Sequence, residues 1–294
     1  TAKWLIARML ASPNFFMHIE QTKKDLGGGL HEITDHTLAS RISYFLLDTM
    51  PDDELLAAAD SGKLSTQAGV EAELKRLDNS SNRSEMSGLM QSFFEQWLKI
   101  DELNLPDHQA NTLMQNYSAG DSITKESIKN EIHAMVEYYT FTNPGKYSDL
   151  FTSDISFAVD QDLADIYDVS VWDGNADNLV RFPAGQRAGI LTRAAFLVNQ
   201  GSLSKPITRG IHIRHDLLCD PLPSPPAEIF DLRAIPFNEH LTTRQRVADK
   251  TSHESCMVCH SKINDTGFAL ENYDSFGRYR TQEKIFDPNS GALL

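Results

Sequence analysis

Cysteine is scarce in this sequence, three residues in 294, and no apolar run approaches the length of a membrane-spanning helix. Three is too few, and an odd number, for a disulfide framework, so the cysteines point to a site rather than a scaffold. A spanning helix needs roughly 20 consecutive apolar residues. A stretch such as LTRAAFLV is of the length that enters a core. Basic residues are also in short supply: 27 Lys and Arg face 41 Asp and Glu, a formal charge of −14. Phosphate binding needs a basic surface, so nucleic acid is excluded as a partner. No Gly-rich phosphate loop, nucleophile elbow or paired-carboxylate signature occurs either, which removes the usual motifs of those catalytic classes.

What is present is the composition of a folded protein, 40% apolar and 23% charged. The acid excess lies in the first 240 residues, because seven basic and seven acidic residues balance from Leu241 onward. An acidic face suits the docking of a basic redox partner, and it also serves solubility. The opening TAKWLIARML reads as the middle of a helix without a signal pattern. The chain is therefore expected to be processed, or part of a longer polypeptide.

Hydrophobic periodicity predicts a mainly α fold, an irregular helical scaffold with long loops and no internal repeat. Thr34 caps a helix with Leu38, Ile42, Phe45 and Leu46 on one stripe. Pro51 is placed in the first turn of the next helix, PDDELLAAAD. A third covers Gln67–Leu77 after Ser65 or Thr66, and a fourth aligns Met86, Leu89, Met90, Phe93 and Trp97. A fifth runs from about Ser122 to Tyr139 with Ile128, Ile132, Met135, Val136 and Tyr139 aligned on one face. On that helix His133 and Glu137 stand four apart, as a solvated pair would. Beyond residue 143 the texture changes: a short extended piece and a helix in DISFAVDQDLADIYD, then an irregular approach to a helix in RFPAGQRAGILTRAAFLVNQ. Pro206 opens a helix in PITRGIHIRHDLLC, and Pro221, Pro223, Pro225 and Pro226 demand extended, polyproline-like chain. A last helix, TTRQRVADK, starts at Thr242 or Thr243 and leads into Cys256-Met257-Val258-Cys259-His260.

CMVCH is the spacing of covalent haem attachment. Two thiols one turn apart can add across the vinyl groups of one porphyrin edge, and the His after the second Cys falls beneath the ring as an iron ligand. Two alternatives compete. Cys219, Cys256, Cys259 and His253 could form a structural zinc set, although the second close ligand pair usual in zinc ribbons is missing. A redox dithiol would sit in a βαβ setting, and none is visible. The residues that follow suit haem better. Phe268, Tyr273, Phe276 and Tyr279 offer flat apolar surface, and Arg278 and Arg280 offer guanidinium groups to propionates. The loop SKINDTGF holds no Pro, so the acceptor that orients His260 is expected to be a backbone carbonyl near Asn264–Thr266.

The segment from RAGILTRAAFL through KPITRGIHIRHDLLCDPLPSPP to GFALENYDSFGRYR resembles the planctomycete-type cytochrome domain called domain of unknown function 1588. LASPNFFMHIE, LASRISYFLLDTMPDDELLAAADSGKLS and FFEQWLKID resemble its habitual upstream neighbour, domain of unknown function 1592. The resemblance covers nearly all of the chain. It implies a helical scaffold over residues 1–155 and a haem-binding domain over 156–294, exported to the periplasm or outside the cell. It supplies no reaction. Cys256, Cys259, His260, Gly267, Phe268, Glu271, Asp274, Gly277 and Arg278 match the pattern. Lys250 stands where members usually carry a His, and Asn264-Asp265 replaces the usual Asp-Pro.

The expected function is a c-type cytochrome domain with one covalent haem c, His260 as proximal ligand, and a basic protein or another cytochrome as redox partner, with membership of a larger complex also open. A haem-dependent oxidoreductase, peroxidase-like or the electron port of a larger enzyme, is the alternative, and a zinc module is third. Iron with two protein ligands argues for transfer, and an open position argues for catalysis. Met114, His212, His215 and His240 are the candidates for the position opposite His260, and Cys219 is expected to be a buried small hydrophobe.

Overall fold

The computed structural model describes residues 2–17, 19–106, 123–199, 203–223, 240–285, 287 and 292–293. Two short helices, α1 (Ala2–Leu10) and α2 (Pro13–Phe16), precede an antiparallel hairpin of β1 (Thr22–Gly27) and β2 (Leu30–Ile33). Hydroxyl and carboxylate caps then start the next three helices. Thr34 accepts the Thr37 amide to begin α3 (Asp35–Leu47), and Asp52 accepts that of Leu55 to begin α4 (Asp53–Asp60). Thr66 does the same from Gly69 for α5 (Gln67–Leu77). Pro51 thus lies just before the cap of α4 rather than inside its first turn.

α6 (Arg83–Trp97) crosses the division between two compact units, residues 1–90 and 91–294. The first unit is built on Ala39, Ile42, Leu55, Ala58, Ala59, Leu64 and Leu77. Phe45, expected inward, is 76% exposed; the stripe of α3 turns through Ala39 and Ile42 instead. Arg76 grips both oxygens of Asp52 (2.7 and 2.8 Å) and reaches Glu73 (2.6 Å), and Lys63 approaches Glu73 from the other side (2.7 Å). These cations hold the Asp52 and Glu73 carboxyls below their usual range, and Lys23 does so for the buried Asp35.

The second unit contains α7 (Lys125–Glu137), extended by a π-helical turn at Tyr138–Thr142, and α8 (Asp149–Thr152). β3 (Ile155–Ser156) pairs antiparallel with β4 (Val180–Arg181) around α9 (Gln161–Tyr167). The predicted helix in RAAFLV is a single turn, α10 (Ala194–Leu197), because Val198 is already extended. α11 (Pro206–His212) begins on its proline as expected and runs on into a π-helical turn. α12 (Thr243–Lys250) and α13 (Glu254–Phe268) complete the set. The fold is mainly helical. In α6 it is Phe94 that is buried, while Phe93 is 57% exposed. The start of the predicted fifth helix at Ser122, and Pro225 and Pro226, lie outside the described residues.

The expected boundary at 155/156 falls inside this unit, and the residues on either side of it share one core. At its centre Arg193 and Glu131, both fully buried, form an ion pair (3.0 Å). Tyr167 donates to the second Glu131 oxygen (2.6 Å) and accepts the Ala194 amide (2.7 Å). Arg193 also donates to the Ile155 carbonyl and lies 4.4 Å over the Phe182 ring. Burial pushes the Glu131 carboxyl up against the opposing pull of Arg193 and Tyr167.

Two outcomes are expected. A raised folded pKa would favour stability at low pH, but the depressed Asp35, Asp52 and Glu73 act in the opposite sense. Their contribution is complete above the usual values of 3.8 and 4.5 and is lost as pH falls through and below them. Thermal melts from pH 6 to about 3 should show Arg76→Met flattening this acid loss. In urea titrations Arg193→Met should cost about 3–5 kcal/mol, and Glu131→Met/Arg193→Met much less, since the double change leaves no buried carboxylate unpaired.

Candidate functional site

The helix that carries CMVCH is positioned from both ends. A reciprocal capping box of Thr242 and Gln245 starts α12, and Glu283 accepts both the amide and the hydroxyl of Thr243 (2.7 and 2.6 Å). Thr251 ends α12, and His253 caps α13 by accepting the Ser255 amide (3.3 Å). At 3.6 residues per turn, Cys256, Cys259, His260, Ile263, Asn264 and Gly267 fall along one side of α13. Ile263, Asn264 and Gly267 are buried where α13 packs on α11. The packing is close because both helices offer glycine: a Cβ on Gly267 would lie 2.0 Å from the Pro206 carbonyl, and one on Gly210 2.3 Å from that of Ile263. Cys256 is buried, Cys259 and His260 are half-buried, and Met257 and Val258 are exposed. Both thiols are free.

His260 is oriented by a side chain rather than by the expected backbone carbonyl. Its Nδ1 lies 3.0 Å from Asn264 Oδ1, and Asn264 Nδ2 donates to Thr251 Oγ1 (2.8 Å). The Thr251 hydroxyl donates in turn to the Val247 carbonyl (2.7 Å). The i,i+4 spacing of His260 and Asn264 was the available signal, since one helical turn brings such residues together.

The tail behind the motif closes the fold. Arg209, 3% exposed, donates to the carbonyls of Leu197 (2.7 Å), Leu270 (3.0 Å), Tyr273 (2.9 Å) and Asp274 (2.7 Å). Burial lowers its guanidinium to about 10. Asp274 accepts the amides of Phe276 and Arg278 (2.9 Å each). Arg187 donates to the carbonyls of Gly277 and Thr192 and lies 4.5 Å over Tyr167 and 5.0 Å over Tyr273. Of the residues expected around a haem, Tyr273 and Phe276 are buried core, and the Tyr273 hydroxyl donates to the Gln186 carbonyl (2.5 Å). Arg280 is drawn to Glu271 and Glu283 (3.4 and 3.9 Å) and donates to the Glu271 carbonyl (3.1 Å). Tyr273 and Phe276 serve packing, and Arg280 serves ion pairing. Phe268 packs under Arg244 (5.1 Å), Tyr279 packs edge-on against Tyr273 (5.9 Å), and Arg278 lies 4.4 Å over Phe276; all three remain half-buried.

The other candidates scatter. His212 lines a cavity of about 200 Å³ with Trp97, Lys99, Phe196 and Asp216, and no residue of CMVCH lines it. Burial, and after it Lys99, hold His212 below the usual imidazole value. His215 bonds Asp216 (2.7 Å), His240 is exposed, and Met114 lies outside the described residues. Cys219, expected buried, is exposed with a left-handed backbone (φ 51°). His133 pairs with Glu95 (2.5 Å) across to α6. Among the described residues no group of three His, Cys, Asp or Glu comes together to hold a metal ion. No helix among them is long and apolar enough to cross a membrane.

Residues 33–169 match the family model PSD4, Protein of unknown function (DUF1592), and residues 187–283 match PSCyt3, Protein of unknown function (DUF1588). The chain belongs to the proteins that carry this pair in this order. The second name associates the stretch that contains CMVCH with cytochromes, and neither description assigns a reaction. No curated protein and no solved structure matches the chain.

The α11–α13 contact sets an expected outcome for the site. Gly267→Ala should force the helices apart and cost about 1–3 kcal/mol in urea denaturation. The exposed substitution Val258→Ala should stay within about 0.5 kcal/mol.

Proposed function

We propose that the chain is a c-type cytochrome domain for electron transfer outside the cytoplasm, with one haem c held covalently by Cys256 and Cys259 and His260 as the proximal ligand. The observation that carries this reading is the side of α13 on which two free thiols one turn apart precede an imidazole whose Nδ1 is already bonded to Asn264. That arrangement leaves Nε2 for iron, and two thiols one turn apart beside an imidazole are what thioether addition to two vinyl groups with His ligation requires. When bound, haem c supplies reversible one-electron exchange at iron.

The chain's own residues complete the site. Met257 (39% exposed) and Val258 (69%) lie within the motif but off the side of α13 that carries Cys256, Cys259 and His260. Phe268, Arg278 and Tyr279 keep part of their surface open and are the remaining candidates for contact. The charge of −14 favours a basic protein, or a basic face of another cytochrome, as the electron partner. Covalent haem attachment implies export, so the proposed location is the periplasm or the cell exterior.

The full chain, exported in a host that matures c-type haem, should gain the mass of one haem and show reduced-minus-oxidised haem bands. Cys256→Ala/Cys259→Ala should lose both. An unmodified wild-type mass with no haem bands would overturn the proposal. A six-coordinate, low-spin iron inert to peroxide is the expected state; high-spin iron turning over peroxide would replace transfer with the oxidoreductase reading.

A further inference from the structure

We infer that Thr251 and Asn264 are positioning residues that fix His260 as its Nδ1–H tautomer and so set the donor strength of Nε2. The inference rests on the cytochrome reading for its consequence at iron, but not for the tautomer itself.

The argument follows the polarity of three hydrogen bonds. A threonine hydroxyl has one proton to give. That of Thr251 is directed to the Val247 carbonyl one turn back in α12 (2.7 Å). Toward Asn264 it can therefore only accept, which turns the amide so that Nδ2 faces Thr251 (2.8 Å). Oδ1 is left to face the imidazole at 3.0 Å. An acceptor opposite Nδ1 requires the ring proton there, and Nε2 keeps its lone pair. Thr251 is 4% and Asn264 7% exposed, so water does not compete for either group. The tautomer of a residue in α13 is thus decided by a carbonyl in α12.

A hydrogen bond to the far nitrogen raises the basicity of a ligating imidazole and fixes its ring plane. A side-chain amide does this with a strength that one substitution can change, which a backbone carbonyl does not allow. Asn264→Asp places a stronger acceptor against Nδ1–H, and Asn264→Leu removes the acceptor. Thr251→Val removes the group that holds the amide's orientation, whereas Thr251→Ser keeps the hydroxyl.

The test has two arms. In the full chain without haem, labelled with 15N-histidine and observed with neutral rings, His260 is assigned by its absence from the His260→Ala spectrum. Wild type and Thr251→Ser should show the Nδ1–H pattern. Thr251→Val and Asn264→Leu should shift toward a tautomer mixture while their backbone spectra stay folded. An Nε2–H pattern in wild type, or an unchanged pattern in folded Thr251→Val, would overturn the inference. In the haem-loaded protein, the reduction potential of Asn264→Asp should fall below wild type and that of Asn264→Leu should rise above it. Equal potentials across the three would overturn the tuning role and leave the cytochrome reading standing. Failure of wild type to take haem would end the cytochrome reading, and the 15N spectra would still decide the relay.

Discussion

The ion pair between Glu131 and Arg193 is the constraint on which the larger unit depends. Two fully buried charges need partners on most of their polar atoms, because desolvation costs several kcal/mol per ion; here Arg193 Nε alone of the pair's polar atoms is left without one. Satisfaction here requires α7 for the carboxylate, α9 for the Tyr167 hydroxyl, β3 for the Ile155 carbonyl and α10 for the amide of Ala194. None of these elements can shift alone without stranding a charge. Aliphatic packing of Ile128, Ile132 and Leu163 supplies the hydrophobic contribution, while the polar cluster fixes the arrangement.

The same device recurs toward the motif. Arg187 carries the cluster outward to the Gly277 carbonyl, and Arg209 ties four carbonyls of the turns around α10 and α13. Each arginine replaces regular secondary structure as the partner of loop backbone groups that burial would otherwise leave unbonded. The irregular stretches between short helices are therefore rigidly specified, and α13 has a firm seat against α11. The two glycines bring the helices close, and the Thr251–Asn264–His260 chain sets the imidazole on that seat.

Local chemistry was legible in the sequence, and long-range chemistry was not. Thr34, Thr66 and Thr242 announce their helices because a cap bonds only three residues ahead. The motif is equally local. A stripe at 3.6-residue spacing does not decide which of two adjacent aromatics points inward, so Phe94 rather than Phe93 is buried, while in α3 burial runs through Ala39 and Ile42 and leaves Phe45 exposed. Arg187, Arg193 and Arg209 resemble surface residues by type, and their partners lie 5 to 90 positions away. The part that Tyr273, Phe276 and Arg280 play in closing the fold is not visible in the spacing of the tail, because their partners include residues as distant as Gln186 and Ser204. Asn264 is legible by the same local rule, since its partner His260 is a single helical turn away.

One consequence concerns inheritance. The two family models divide this chain between residues 169 and 187, as if two modules had been strung together. Yet Glu131 and Tyr167 belong to the first stretch and Arg193 to the second, and the three share one sealed cluster. A gene rearrangement that separated the stretches would send a carboxylate into one product and its guanidinium into another. What looks like a tandem of modules is joined, in physical terms, through one buried cluster.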